Sequence, residues 1–376
     1  MRRTHWTAIT AILAVTMAVA IVYLLSRGDQ DGDDPSDATP PGATCHRRTA
    51  GVTLTPTDAT IYNMVGWLCS KPNSKRRTTI QVLTSGLTYD HHYWDITTTK
   101  KKYSYVYAAV EAGWSTFNVD RLGVGESDKP PAQLLTVPNQ AQAIEQVIQQ
   151  LRNGRIDGTA YTRVVSVGHS LGGGIAQYAA ATAPEPSMVP DFLVVADFLS
   201  ATNPGGLTRF AETLVPAATD PAFASARLPD GYQTTRGGTR AQTLFHLPDA
   251  EPGIVETDET LKQTGTVAER TTLGVARSRD TTMAVPVPTM ITVGQFDSFY
   301  CDATPRLSCA DSAAIRIRES GNYPPRACLR VSTIPGAGHA SNLHHNARMF
   351  FDGVTAWLDS YLYDLARQRD ANGCLP

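Results

Sequence analysis

The sequence predicts an α/β fold, a mostly parallel sheet flanked by helices on both faces and carrying an inserted cap. Three observations predict it. Short apolar segments of strand length alternate with helical patterns from residue 79 onward, the order that builds parallel sheets under crossover helices. A glycine-rich turn joins one such strand directly to a helix. Between about residues 203 and 284 the alternation lapses, as it does where a cap interrupts a sheet. With 376 residues, 42% of them hydrophobic, the chain can bury a sizeable core, and a disordered whole is excluded. A formal charge of −2 without basic blocks leaves no footprint for nucleic acid.

At the N-terminus, Arg2 and Arg3 precede an uncharged, mostly apolar run from Trp6 to Leu25 that ends at Ser26-Arg27. At roughly 1.5 Å per helical residue the run can cross a hydrocarbon core of about 30 Å, and the arginines favour its N-terminus inside. Ala18-Val19-Ala20 also resembles a signal-peptidase site, so residues 1–27 read either as a membrane anchor or as a signal peptide. Both readings export the remainder of the chain. Residues 28–44, rich in Asp, Gly, Pro and Ser, read as a flexible linker, and the folded domain as residues 45–376. Six cysteines, none in a C-x-x-C pair, then favour disulfides over free thiols or a zinc site.

Val52 to Leu54 and Tyr62 to Cys69 read as an opening antiparallel pair, and Thr79 to Thr84 as a buried strand. Tyr103 to Ala112 is a helix closed by Gly113, followed by a strand from Thr116 to Val119. Thr136-Val137-Pro138 opens a helix whose Ile144, Val147, Ile148 and Leu151 share one face. Val164 to Val167 is a short strand, Leu171 to Ala181 a helix, and Phe192 to Ala196, Thr289 to Val293 and Leu329 to Ile334 are further strands. Ala347 to Gln368 reads as a long amphipathic final helix. Within 203–284 no strong strand appears, and Thr208 to Val215 is a short helical run. Phe210, Phe223, Tyr232, Leu244 and Phe245 anchor the segment as a cap rather than a disordered loop.

The chemistry centres on Gly168-His169-Ser170-Leu171-Gly172, a G-x-S-x-G between a strand and a helix. A serine there occupies a sharp, strained turn that exposes its hydroxyl, and the small flanking residues let the backbone pass close by. The helix opening at Leu171 aims N–H groups at a developing oxyanion. Asp120-Arg121-Leu122-Gly123-Val124-Gly125-Glu126-Ser127-Asp128 matches a D-x-x-G-x-G-x-S-D turn; no third glycine opens a helix, so a nucleotide cradle is excluded.

These motifs resemble the α/β-hydrolase superfamily over nearly the whole exported domain. The resemblance implies that Leu83-Thr84-Ser85-Gly86-Leu87-Thr88 is the loop donating a second oxyanion N–H, from Leu87 beside that of Leu171, with Ser85 where the family usually has histidine. Tyr89-Asp90-His91-His92-Tyr93-Trp94-Asp95 is similar to the segment after this loop in secreted bacterial and fungal members. His91 and His92 are expected to pack the loop rather than bind metal. The family order of serine, acid and histidine gives His339, in Pro335-Gly336-Ala337-Gly338-His339, as the base and Asp297, after the strand Thr289 to Val293, as the acid. Asp302 and Asp197 are rival acids; His344 and His345 are expected to have surface or capping roles.

An antiparallel final helix should end near the start of the strand from Leu329, which pairs Cys374 with Cys328 and leaves Cys301 to Cys309 and Cys45 to Cys69. The resemblance implies acyl transfer on a small-molecule or lipid-like carboxylic ester, esterase-like or lipase-like, with no cofactor and no metal. A serine nucleophile argues against epoxide hydrolase and dehalogenase chemistry. A catalytically silent binding protein and a perhydrolase or haloperoxidase-like enzyme are the alternatives.

Overall fold

The computed structural model describes residues 39–97, 102–363 and 368–375. The apolar run Trp6 to Leu25, read as anchor or signal, lies outside them, as does most of the 28–44 linker. Among the described residues no helix is long and apolar enough to cross a membrane.

The main sheet is built from β1 (Thr44–Val52), β2 (Tyr62–Ser70), β3 (Thr79–Thr84), β4 (Ser115–Val119), β5 (Arg163–His169), β6 (Phe192–Ala196), β10 (Thr289–Gly294) and β11 (Arg330–Ile334). These eight strands lie in the order β1-β2-β4-β3-β5-β6-β10-β11. β2 runs antiparallel to β1 and β4, and every later pairing is parallel. All residues of β3, β4, β6 and β10 are buried, which is why these strands read as short continuous runs. The first strand, Thr44–Val52, meets the expected Val52 to Leu54 only at Val52; Thr53 and Leu54 lie beyond its end. Thr44 to Arg47 lie exposed at the sheet edge, paired with β2 on one side, so no alternation of apolar residues marks them.

The flanking helices are α1 (Tyr105–Glu111), α2 (Val137–Arg152), α3 (Leu171–Thr182), α9 (Ser312–Ser320) and α10 (Ala347–Leu362). Thr136 caps α2 by accepting the Asn139 N–H at 3.3 Å, and Pro138 sits in its first turn, where no donor is lost. Ile144, Val147, Ile148 and Leu151 are fully buried, each adding roughly 1.5–3 kcal/mol of apolar burial. α9 has no counterpart among the expected elements: only Ile315 and Glu319 of its residues are buried, too few to write a stripe. α10 ends at Leu362 rather than Gln368. Arg369 lies over the Tyr361 ring and donates to the Tyr361 carbonyl at 2.6 Å.

The segment from 203 to 284 contains helices α4 (Pro204–Thr213), α5 (Arg240–Leu244), α6 (Pro252–Thr260), α7 (Val267–Thr272) and α8 (Arg279–Ala284). It also contains a sheet that the sequence does not suggest: β7 (Leu214–Pro216), β8 (Tyr232–Thr235) and β9 (Gly265–Thr266), paired antiparallel. Strands this short carry too few residues for a period of two to be recognised. Phe210, Tyr232, Leu244 and Phe245 are buried, and Phe223 is partly so. Buried ion pairs Arg240–Asp258 (2.7 Å) and Lys262–Asp220 (2.7 Å) hold the rest, since a buried charge is tolerated only with a partner.

All six cysteines are paired in the expected way, Cys45–Cys69, Cys301–Cys309 and Cys328–Cys374. Cys45 and Cys69 stand directly opposite in the β1–β2 register.

Candidate active site

The turn from β5 into α3 carries Ser170 with φ 52° and ψ −119°, a left-handed conformation costing a residue with a side chain about 1–3 kcal/mol. Its backbone is held by an N–H bond to the Ala196 carbonyl at 2.8 Å. The flanking glycines are steric necessities. A Cβ on Gly168 would lie 2.2 Å from the Gly172 carbonyl oxygen, and one on Gly172 would lie 2.2 Å from that of Thr84. Ser170 occupies the N-cap of α3, yet its hydroxyl does not cap the helix. It bonds instead to His339 Nε2 at 2.8 Å.

His339 follows β11, and Asp297 follows β10. His339 Nδ1 lies 2.9 Å from Asp297 Oδ2, while Asp297 Oδ1 accepts the Phe299 N–H at 2.9 Å. All three side chains are buried, with Ser170 the most accessible at 9%. Burial pushes the His339 pKa down to about 3, so the resting ring is neutral; it pushes the Asp297 carboxyl upward, against the N–H groups of Phe299 and Tyr300. With its Nδ1 proton assigned toward Asp297, His339 turns the Nε2 lone pair to the serine hydroxyl.

The two rival acids have other partners. Asp302 is exposed and caps a local turn through the Thr304 N–H at 2.8 Å. Asp197 is buried, but it accepts the Gly294 N–H at 2.8 Å and the Ser341 hydroxyl, and the imidazole near it is that of His169, at 3.8 Å. Burial, reinforced by the nearby Asp297, pushes the Asp197 carboxyl upward.

Two further histidines fix the backbone around His339. His169, held neutral by burial, donates from Nε2 to the His339 carbonyl at 2.9 Å and stacks on Tyr93 at 3.9 Å. His344 corrects the expectation of a surface or capping role: it is fully buried, its Nδ1–H donates to the Ala340 carbonyl at 2.9 Å, and its Nε2 accepts N–H groups of Gly338 and His246, each at 3.0 Å. His345 is exposed, as expected.

The loop from Ser85 to Thr88 is gripped by two arginines that sequence reasoning does not single out. Arg121, fully buried, donates from Nε to the Ser85 carbonyl and from Nη2 to the Gly86 carbonyl, both at 2.9 Å, and pairs through Nη1 with Glu269 at the start of the cap helix α7. Arg240 donates to the Thr88 hydroxyl at 2.9 Å and lies over the Tyr89 ring at 4.3 Å. Arg121 sits inside the quoted Asp120–Asp128 motif, but its partner is 148 residues away, beyond any local signal. Asp120 holds its own turn, accepting from the Glu126 N–H at 2.7 Å and from the His91 N–H at 2.9 Å. Asp90, His91 and His92 place potential metal-ligand atoms within 4.8 Å of one another. The two rings already meet carboxylates, His91 Nδ1 at Asp120 and His92 Nδ1 at Asp90, each at 2.8 Å.

Leu87 and Leu171 line a cavity of about 320 Å³ with Ser170 at its base. Leu171 is the first residue of α3, so its N–H has no acceptor within the helix. Leu207, Phe210, Leu273, Phe299 and Tyr300 give the walls an apolar character, and the lining also includes Arg270 and Arg277.

A sheet of this order, crossed by a strained serine turn with an imidazole and a carboxylate behind it, is the framework of one enzyme class. The family model described as the alpha/beta hydrolase family matches residues 81–351, and the chain belongs to that family. Solved structures similar to it include a thermophilic esterase from Thermogutta terrifontis, 17% identical, covering 83% of this chain and 98% of that one with a TM-score of 0.52. An esterase from Exiguobacterium antarcticum is 17% identical, covers 83% and 100%, and has a TM-score of 0.54. A membrane phospholipase A, described as a bacterial virulence factor, is 14% identical and covers 96% and 99% at a TM-score of 0.55. At such identities the likeness is one of fold. A search of the curated proteins finds no match.

Proposed function

We propose that this chain is an extracytoplasmic serine hydrolase that cleaves carboxylic esters, with Ser170 as nucleophile, His339 as general base and acid, and Asp297 as the acid that orients the histidine. The observation that carries the reading is the continuous relay from Ser170 Oγ to His339 Nε2 (2.8 Å) and from His339 Nδ1 to Asp297 Oδ2 (2.9 Å), set on a strained turn. The serine hydroxyl attacks the ester carbonyl as its proton passes to Nε2. The tetrahedral oxyanion takes N–H groups of Leu87 and Leu171. On collapse, the imidazolium returns its proton to the departing alkoxide, leaving an acyl-enzyme. Water attacks that ester with His339 again as base, and the acid product leaves. The proton that His339 takes from this water passes to Ser170 Oγ as the acyl bond breaks, so protons balance among Ser170, His339, substrate and water and the resting relay is restored.

The esterases of similar fold favour an ester over other acyl compounds. Three disulfides, the apolar run Trp6–Leu25 and the positively charged start favour a place outside the cytoplasm, with residues 1–27 as signal or anchor, 28–44 as linker and 45–376 as the hydrolase domain with its cap at about 203–284. A panel of p-nitrophenyl esters of graded chain length tests the function: turnover by the intact protein and its loss, by about 10⁴-fold or more, in Ser170→Ala are expected. Equal turnover by the two proteins would refute it.

A further inference from the structure

The cavity above Ser170 has two unlike halves. Leu87, Leu171, Phe210 and Phe299 are apolar, as a pocket for an acyl chain requires. The same cavity is lined by Arg270, Leu273 and Arg277, spaced three and four residues apart along α7 and the 3-10 turn that continues it. Arg277 is half-buried and lies against the Tyr300 phenol, close enough to favour its ionised form against the dominant effect of burial; Arg270 is exposed at the mouth.

Other buried cations of the cap region are spoken for. Arg121 faces Glu269, Arg240 faces Asp258, and Lys262 faces Asp220. Among the described residues neither Arg270 nor Arg277 has a carboxylate within ion-pair distance. Two guanidinium groups without carboxylate partners, lining a largely apolar cavity, have the chemistry to hold an anion at the end of a hydrocarbon segment.

We propose that this pocket selects esters whose far end carries an anionic group, a carboxylate or a phosphate, held by Arg270 and Arg277 while the scissile carbonyl sits at Ser170. The inference rests on the hydrolase reading and narrows its substrate class. The charge is recognised away from the reacting bond, so it fixes which end of the substrate enters and contributes chiefly to KM. Because Arg270 is exposed, the recognition weakens as salt rises.

The test compares substrates that differ only in the terminal charge, after subtraction of spontaneous hydrolysis. For a carboxylate, mono-p-nitrophenyl glutarate is set against p-nitrophenyl valerate; for a phosphate on a lipid, dihexanoylphosphatidic acid is set against dihexanoylglycerol. A kcat/KM preference of at least about tenfold for the anionic member of one pair is expected, and the pair that shows it tells a free acid from a lipid headgroup. In Arg270→Gln/Arg277→Gln that preference falls toward one, mainly through a higher KM for the anionic ester, and in the wild-type protein it declines between low and high salt. Indifference to charge in both pairs, or a preference unchanged in the double variant, overturns the inference. Fluorophosphonate labelling of Ser170 separates the two levels: labelling with no preference for charge sinks only the anion site, whereas no labelling and no turnover sink the hydrolase reading beneath it.

Discussion

Replacing Arg121 by methionine removes three interactions at once and should damage stability and catalysis by separate routes. The guanidinium holds the Ser85 and Gly86 carbonyls at 2.9 Å, directly before the Leu87 N–H, and neutralises Glu269, which is 1% exposed. Methionine fills a similar volume but leaves Glu269 as a buried, unpaired charge, with Gln140 donating at 2.8 Å as partial relief. Such losses cost about 3–5 kcal/mol, a fall in Tm on the order of 10 °C for a domain of this size. The loop that carries Leu87 also loses two donors. Displacing an oxyanion N–H without deleting it should lower kcat about 10- to 100-fold, less than the 10²- to 10³-fold cost of losing a donor outright. The two effects part company in Arg121→Met/Glu269→Gln, in which no charge is stranded: thermal denaturation should recover most of the lost Tm, while kcat stays low. A single variant that melts with wild-type, or a double variant with wild-type kcat, would refute the account of this clamp.

Asp297→Asn should lower kcat by about 10⁴-fold, because an amide no longer selects the tautomer with its proton on Nδ1, whereas Asp302→Asn, at an exposed turn, should leave kcat within a factor of about two; comparable losses in both would break the assignment of the acid. Since burial pushes His339 from 6.5 down to about 3, the ring stays a base as pH falls, and kcat/KM should hold from about pH 8 to about pH 5.5; a half-maximum at or above pH 6.5 contradicts this. Burial also links stability to pH through His344: pushed down to about 4, it takes up a proton in the unfolded chain before the native one, so its contribution is complete above pH 6.5 and is lost as pH falls through 4, and between pH 7 and pH 4 urea midpoints should drop less, or rise more, in His344→Gln than in the wild-type protein. Glu145 runs the other way. Burial raises it to about 7 against the opposing Thr182 hydroxyl, so its favourable contribution is complete below pH 4.5 and is lost as pH rises through 7; Glu145→Gln should gain on the order of 1–2 kcal/mol at pH 8 and less at pH 5, and a gain independent of pH would exclude the titration.

The chemistry legible in the sequence is local. The glycines around Ser170 are required by contacts within a single turn and the loop beside it; Asp297 follows β10, a wholly buried strand, and His339 follows β11, a half-exposed strand of which only Val331 and Ile334 are buried, by way of the Gly336-Ala337-Gly338 turn. The rest depends on partners distant in the chain. Arg121, Arg240 and His344 look like surface residues by composition, and only the fold gives them Glu269, Asp258 and the N–H groups of Gly338 and His246. β7, β8 and β9 are too short for a period, and β1 lies at an edge where solvent erases the alternation. The end of α10 at Leu362 has no stop signal in the sequence, since no Gly or Pro follows it before Gly373.

The most direct measurement is to react the full chain with a fluorophosphonate, digest it, and find the modified residue by mass. An activated hydroxyl at the elbow requires stoichiometric labelling on the peptide bearing Ser170, abolished in Ser170→Ala and slowed by orders of magnitude in His339→Ala. Labelling at another residue, or no labelling of a protein that is demonstrably folded, would contradict the relay from which the rest is argued.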